Sequence, residues 1–519
     1  MRTIREAIGL LEANPSPSEA AGALEDLSRA LRRRVPRPLA LRAAVVARRA
    51  DRVDLSLRAL GPRVRPRSKS KSTPRPKPDE VVEYAWALAE VGALRESLRR
   101  LEALLATDDP PVATFLLRAR LCFMAWDFEG AGTWLHRHAT HASLDGVQKI
   151  MSAVHEADAV LTVPGDARAV LARLSKLALK LEREREPLFA TRAWLATAQG
   201  LFMRGRGAEA HAALERSRPQ VERVLADRLT ALWSAWEVLT RPRPDPGDLR
   251  RVLTRLEAAD AAGKCRFTRF LLCRALGDAA GERECLWGAL TPDFWRLAAS
   301  WKLAPSEGAT DQSAWDRIPR DTDGRRPAGT GPLLDLTALP AEGALTAPVR
   351  DSHGARALRI LASECLAPTP LGTLHELLYL SQNFDPWYSP PRIHQVIRRL
   401  RRWLESQKLP LAVVHSRGGY RMVATGPCVI RLPLPVSQRD QAEAPAFPPG
   451  AERRWALWLA ACGDRTFRAQ DYAQAVGVSA RQAQLDLRRS VALGRAKREG
   501  AARAARYRLC PGQGPGLTE

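Results

Sequence analysis

The chain has 519 residues, which at roughly 150 residues per domain predicts three or four folded units. Hydrophobic residues make up 45% of it, and 81 Lys and Arg against 57 Asp and Glu give a formal charge of +24. The composition excludes a wholly disordered chain, and the positive charge favours an anionic partner such as nucleic acid or an acidic lipid surface.

The cysteine pattern and the hydropathy bear on location. The eight cysteines are scattered and contain no C-x-x-C pair, which favours a reduced, intracellular protein. The N-terminal stretch MRTIREAIGLLEANPSPSE has no apolar core of a secretory signal, and no apolar run approaches about 18 residues. We therefore expect a cytoplasmic protein with no membrane partner.

The N-terminal region predicts two or three short helices over residues 1–60, as in EAAGALEDLSRALRRR, where apolar residues recur at helical spacing. Residues 61–79, GPRVRPRSKSKSTPRPKPD, are basic and rich in Pro and Ser and contain almost nothing apolar. That composition cannot form a core, so we predict a flexible basic linker, with phosphate tracking by its arginines as an alternative role.

Residues 80–303 carry almost unbroken amphipathic helix patterns, separated by short Gly, Asp and Pro breaks. Two of the units align with an offset of 34 residues, the period of a tetratricopeptide repeat. The region resembles tetratricopeptide-like repeats, which implies a solenoid of paired helices that binds a protein partner; a non-repeating helical bundle is the alternative. The matched residues are Gly92, Leu94 and Ser97 in one unit, Trp126, Phe128 and Ala131 in the next, and Ala210 at the small-residue position of a later unit.

The segment HRHATH, residues 136–141, is the strongest candidate for a metal site. It falls at the end of a predicted helix without accompanying cysteines or carboxylates, so we expect no metal and no cofactor. Residues 304–330 are polar and rich in Gly and Pro, and predict a second linker.

The stretch IHQVIRRLRRWL, residues 393–404, predicts an amphipathic helix that Ser389 caps, with Pro390 and Pro391 in its first turn. The following LAVVHSRGGYRMVA predicts two strands around a tight turn at residues 416–419, because paired glycines permit positive φ. A solvated arginine face and a membrane-surface helix are the alternatives. The apolar face of the helix contains Ile393, Val396, Ile397, Leu400, Trp403 and Leu404.

VIRRLRRWL followed by SRGGYRM resembles the winged helix of the response-regulator type, over residues 331–425. GPLLDLTALPAEGALTAP matches the family's small N-terminal sheet, and ARALRILASECLAPTPLGTLHELLY its first two helices. His394 stands where the family usually has an acidic residue. The resemblance implies a recognition helix in the major groove and a hairpin on the phosphate backbone. The residues that we expect to contact DNA here are Arg392, Gln395, Arg398, Arg399, Arg402, Arg417 and Arg421.

A second DNA-binding domain is predicted over residues 451–510. It follows a predicted linker at 426–450 and precedes a tail at 511–519. Gly477 ends one helix, Ser479 caps the next, and Gln482 completes a capping box. The segment resembles the winged helix-turn-helix of small bacterial repressors; a winged helix that docks protein instead is the alternative. The DNA-contacting residues that we expect are Arg481, Gln484, Arg488, Arg489, Arg503 and Arg506.

The predicted fold is mainly α: a helical-repeat, tetratricopeptide-like solenoid followed by two small α+β winged-helix domains. Motifs for nucleotide binding, a nucleophile elbow or a zinc protease are absent from the sequence, so we expect no enzyme. The leading hypothesis is a bacterial-type transcriptional regulator that binds double-stranded DNA and a protein partner, with possible homo-oligomers. The competing hypothesis is a non-enzymatic scaffold or adaptor whose winged helices dock proteins.

Overall fold

A computed structural model shows a mainly helical chain, as predicted. It divides into two compact units, residues 1–435 and 436–519, which are described separately. The structure describes residues 3–13, 16–31, 36–50, 52–65, 75–107, 109–224, 227–259, 265–288, 293–303, 314–322, 324–329, 331–336, 352–364, 366–379, 382–416, 418–433, 466–476, 478–492, 496–500 and 506–509.

The first part of unit 1 is a succession of helices, in which α1 begins with a capping box between Thr3 and Glu6. The predicted N-terminal helical region extends to Val64, because α4 continues past residue 60. The helices of this region are α1 (Ile4–Glu12), α2 (Pro17–Ala30), α3 (Arg37–Arg49) and α4 (Val53–Val64).

The next helices pack as consecutive pairs joined by short turns. They are α5 (Pro78–Glu90), α6 (Leu94–Leu105), α7 (Val112–Met124), α8 (Phe128–Ala139), α9 (Gly146–Thr162), α10 (Arg168–Arg183), α11 (Pro187–Phe202), α12 (Gly207–Val221), α13 (Asp227–Leu239), α14 (Pro246–Ala259), α15 (Arg266–Leu276), α16 (Ala279–Trp287) and α17 (Asp293–Ser300).

The two units aligned at an offset of 34 residues share a local conformation. Gly92 and Trp126 occupy equivalent turns between paired helices, and both have positive φ, 81° and 63°. The small residues that the sequence matched, Ser97, Ala131 and Ala210, are each fully buried in the second helix of their pair. Small side chains at these positions let the paired helices approach closely, because a larger side chain would hold the backbones apart.

Two segments predicted as linkers contain paired strands, so the predicted linkers at 304–330 and 426–450 are too long. Strand β1 (Ala314–Arg317) pairs antiparallel with β6 (Val429–Pro433), and β2 (Leu333–Asp335) pairs parallel with β6. Among its described side chains, strand β1 buries two, Trp315 and Arg317, and such a short alternation cannot be recognised in a sequence segment rich in Gly, Pro and polar residues. The strand forms because it pairs with β6, which is distant in sequence.

Three helices and a second sheet complete unit 1. Helix α20 packs on α18 and α19, and its apolar face lies in one core with both sheets. Strand β5 lies between β3 and β4, in the order β3-β5-β4. The elements are α18 (Ser352–Ser363), β3 (Thr369–Pro370), α19 (Leu371–Leu378), α20 (Ser389–Ser406), β4 (Leu411–Ser416) and β5 (Gly419–Ala424).

Unit 2 is a smaller α+β arrangement. Its strands form an antiparallel sheet in the order β7-β9-β8, and its core includes Tyr472, Ala483 and Leu487. The elements are β7 (Phe467–Arg468), α21 (Ala469–Val476), α22 (Ala480–Ala492), β8 (Ala496–Glu499) and β9 (Arg506–Leu509). Across the described parts of both units, none of the helices has the length and apolar character needed to cross a membrane.

Candidate nucleic-acid interface

Helix α20 presents two different faces. The predicted apolar face is buried, with Ile393 and Leu400 fully covered and Leu404 1% exposed; only Trp403 is intermediate. This stripe recurs every three or four residues, so burying it on α18 and α19 fixes the rotation of the helix about its axis. The opposite face is then directed to solvent, and it carries exposed Gln395, Arg398, Arg399 and Arg402.

The start of α20 differs from the prediction that Ser389 caps it. Ser389 is the first helical residue, and its Oγ accepts a hydrogen bond from Asp385 N at 2.8 Å. The Asp385 carboxylate in turn accepts from the backbone N–H groups of Trp387 and Tyr388. The preceding turn is therefore what organises the helix entry, because Pro390 and Pro391 have no N–H to be capped.

Arg401 fastens the helix to the hairpin. Its Nε donates to Val413 O on β4 at 2.8 Å, and its guanidinium lies 5.9 Å from the ring centre of Tyr420 on β5. The hairpin itself follows the prediction: Ser416 pairs with Gly419, and Gly418 has φ of 75° in the turn. Helix and hairpin are thus joined directly through the Arg401 side chain.

Two of the predicted contact residues bind other parts of the chain. Arg392 Nη1 donates to Gln382 Oε1 at 2.5 Å, and its guanidinium lies 4.1 Å from the ring centre of Tyr379. Arg421 is half-buried and donates to Thr322 O at 3.0 Å. Both arginines therefore position neighbouring loops. Arg417, expected at the hairpin tip, lies outside the described residues.

A histidine and tyrosine cluster beside α20 was not predicted. His394 Nδ1 and the Tyr420 hydroxyl are 2.6 Å apart, and the rings of His415 and Tyr420 are 5.0 Å apart between centres. Burial, and then the nearby His415 and Arg401, lower the pKa of His394. The only sequence signal was His394 itself, at the position where the winged-helix family usually has an acid.

Helix α19 is joined to the helical region through the turn between α5 and α6. Gly372 N donates to Val91 O at 2.7 Å, and Thr373 Oγ1 donates to Gly92 O at 3.1 Å. A Cβ atom at Gly372 would lie 2.3 Å from Ala93 N, so only glycine fits this approach. The candidate interface therefore packs closely against the turn of the α5–α6 pair.

Buried ion pairs make a second connection between the same regions. The Arg266 guanidinium on α15 lies 2.8 Å from Glu364, which follows α18, and both side chains are less than 10% exposed. Glu284 on α16 is 3% exposed and lies 3.0 Å from both Arg320 and Arg326. These charges are costly to bury unless paired, so separating the two regions would expose unpaired charges.

In unit 2, helix α22 has the predicted cap but not the complete capping box. Gln482 N donates to Ser479 Oγ at 3.2 Å, as predicted. The Gln482 side chain instead donates to Asp486 Oδ1 at 2.8 Å, a carboxylate that is 1% exposed and also accepts from the Tyr472 hydroxyl. The Gln482 side chain, which would have completed the capping box, instead donates a hydrogen bond to the buried Asp486 carboxylate.

The contact residues predicted in unit 2 are only partly described. Gln484 and Arg488 are exposed on α22, and Arg506 is exposed on β9. Arg481 and Arg489 belong to α22, but their side chains lie outside the described residues, as does all of Arg503.

The histidines of the HRHATH segment have separate partners. His136 lies 3.3 Å from Glu156, His138 lies 2.7 Å from the Ser152 hydroxyl in a buried position, and His141 lies 2.8 Å from the Ser143 hydroxyl. Within the part of the chain that the structure describes, no three His, Cys, Asp or Glu side chains are grouped as metal ligands.

Comparison with known proteins gives no family for this chain. No protein-family model matches it, and no curated protein is significantly similar to it.

Proposed function

We propose that this protein is a bacterial-type transcriptional regulator that binds duplex DNA, with α20 entering the major groove. The exposed face of Arg398, Arg399 and Arg402, fixed by a buried apolar stripe on the other side, carries the proposal. Arginine pairs in bidentate fashion with guanine in the major groove, and each such contact contributes about 1 to 3 kcal/mol of discrimination.

The elements around α20 support a winged-helix assignment. Helices α18, α19 and α20 with the β4–β5 hairpin have the order expected for the response-regulator type, and Arg401 holds the hairpin beside the helix. In unit 2, α21, α22 and the β8–β9 pair have the order expected for a second winged helix. Exposed Gln484 and Arg488 are its candidate DNA contacts.

The helical region of residues 80–303 is proposed to be a tetratricopeptide-like solenoid that binds a protein partner. The shared positive φ of Gly92 and Trp126 and the buried small residues at matched positions support this assignment. We place the regulator in the cytoplasm, at the nucleoid.

A scaffold whose winged helices dock proteins is the second candidate. The intrachain contacts of Arg392 and Arg421 favour it, because two of the predicted DNA contacts are engaged with Gln382 and Thr322 of the chain itself. In a scaffold, the exposed arginine face of α20 would bind an acidic surface on a partner protein.

Salt dependence of duplex binding separates these candidates. We would titrate the full chain into a fluorescent mixed-sequence duplex at several salt concentrations. The full chain is required, because a fragment beginning at residue 331 would lack β1. Neutralising four to six phosphates gives a log-log slope of about −4 to −5. Absence of duplex binding at low salt would overturn the regulator and leave the scaffold.

A further inference from the structure

Three aromatic side chains form a cluster between helix α20 and the β4–β5 hairpin. His394 on α20 and Tyr420 on β5 lie 2.6 Å apart, measured from Nδ1 to the hydroxyl oxygen. His415 on β4 is the direct cross-strand partner of Tyr420, and the two ring centres are 5.0 Å apart. Cross-strand partners lie on the same face of a hairpin, so His415 is on the face that meets α20. The cluster therefore joins one ring from each of three elements.

The two histidines of the cluster are open to solvent. Tyr420 is 5% exposed, whereas His394 and His415 are both exposed. The Tyr420 hydroxyl contacts Nδ1 of His394, so the second ring nitrogen, Nε2, can donate to a ligand. A hydroxyl can either donate to Nδ1 or accept from it, so this contact is compatible with a neutral and with a protonated imidazole. Tyr420 thus orients the His394 ring without fixing its charge.

The elements on both sides of the cluster are basic. Residues 386–404 and 411–424 contain seven arginines and no Asp or Glu. Arg398 and Arg401 follow His394 by one and two helical turns, and both are exposed. The surface that surrounds the two histidines is therefore complementary to an anion.

An anion bound at the cluster would favour protonation of His394. In the free protein, burial, and then His415 and Arg401, lower the pKa of His394 from its ordinary value of about 6.5. A phosphate would act in the opposite direction, because its negative charge stabilises the imidazolium. The pKa of His394 would then be higher in the complex than in the free protein, so binding of the anion is linked to uptake of a proton.

We propose that His394 and His415 bind a backbone phosphate of duplex DNA, and that the complex takes up a proton at this site. Phosphate is the anion that a duplex presents, and imidazolium N–H groups form charge-assisted hydrogen bonds to it. The proposal rests on the proposed function, because it requires α20 to lie on DNA. The affinity gained by protonation is complete below the pKa of His394 in the free protein, and is lost as the pH rises through its pKa in the complex.

The first experiment measures duplex affinity of the full chain against pH at one salt concentration. If the phosphate raises the pKa of His394 by about one unit, the affinity should rise by up to about tenfold as the pH falls from about 7.5 to 5.5. His394→Gln keeps a side chain that can hydrogen-bond to Tyr420, and should lose most of this rise; His415→Gln should lose part of it. The control is His136→Gln, which replaces an exposed histidine on α8 and should retain the full rise.

Salt dependence distinguishes a phosphate contact from a base contact. A histidine that becomes charged and neutralises one further phosphate should make the log-log salt slope more negative by about 1 at the lower pH. The slope of His394→Gln should not change with pH in this way. Titration calorimetry in two buffers of different ionisation enthalpy measures the protons taken up, and we expect fewer for His394→Gln than for the unaltered chain.

The possible failures are distinguishable from one another. Duplex affinity that does not change with pH, or a rise that His394→Gln retains in full, would overturn the histidine site and leave the proposed function. A rise that His394→Gln abolishes without any change in salt slope would overturn the phosphate assignment in favour of a base contact. Absence of duplex binding at every pH would overturn the proposed function and the histidine site together.

Discussion

The Glu376 carboxylate on α19 accepts a hydrogen bond from the backbone N–H of Arg95 on α6 at 2.8 Å. The same oxygen accepts from Glu96 N at 3.1 Å. Helix α6 begins after Ala93, whose side chain cannot cap it, so the first N–H groups depend on a residue distant in sequence. Burial raises the pKa of Glu376, and the two backbone hydrogen bonds partly oppose this. The start of α6 is thus completed by the candidate DNA-binding region.

Replacing Glu376 tests this capping contact. Glu376→Ala leaves one buried and one partly buried N–H group without this acceptor and should lower the free energy of unfolding by about 1 to 3 kcal/mol. Glu376→Gln keeps an acceptor and should cost clearly less. Urea unfolding followed by tryptophan fluorescence measures both, with exposed Glu129→Ala in the first turn of α8 as the control. Equal losses for Ala and Gln would contradict a capping role.

The close approach at Gly372 gives a second prediction. A Cβ atom there would lie 2.3 Å from Ala93 N and 2.6 Å from Val91 O, so Gly372→Ala should push α19 from the α5–α6 turn. The expected loss is about 1 to 3 kcal/mol in the free energy of unfolding. Gly146→Ala is the matched control, because a Cβ atom there would meet nothing within 4 Å. If the two variants are equally stable, α19 does not pack closely against the α5–α6 turn at Gly372.

The arginine face of α20 is tested by removing charge. Replacing Arg398, Arg399 and Arg402 with alanine should abolish sequence-specific binding and make the salt slope less negative by about 2 to 3. The fold should persist, since all three side chains are exposed. The control replaces three exposed arginines of α14 and removes the same charge: Arg250, Arg251 and Arg255. If sequence-specific binding persists in the α20 variant, α22 is the helix that recognises the DNA sequence.

The buried His375 side chain leads us to expect that the free energy of unfolding falls in acid. Burial, and then Arg392, lower its pKa to about 4, with Arg65 and Arg95 acting the same way and Asp385 opposing them. The native state therefore binds fewer protons than the unfolded state. Stability is complete above pH of about 6.5 and falls, by up to roughly 3 kcal/mol, as the pH approaches 4.

The His375→Leu variant isolates that titration. The decline in the free energy of unfolding between pH 6.5 and 4 should become shallower, whereas the exposed His136→Gln control should retain the full decline. Some decline will remain in His375→Leu, because burial also lowers the pKa of His155 to about 4. An unchanged pH profile in His375→Leu would show that this histidine does not titrate as the buried site requires.

The sequence by itself determined the features that depend on near neighbours. The apolar stripe of α20, the turn at Gly418, the buried Ala131 and the Ser479 cap were all readable, because helix periodicity, positive φ and capping act within a few residues. The mainly helical fold followed from the same local signals.

Only the tertiary structure decided which distant segments meet. Asp316 and Arg431 are 115 residues apart in sequence yet face each other across β1 and β6, inside segments predicted as linkers. The Glu376 carboxylate accepts from the N–H of Arg95, in the first turn of α6, 281 residues before it in the sequence. Such contacts depend on how the whole chain folds, because the sequence around a residue does not indicate which distant residue it will contact.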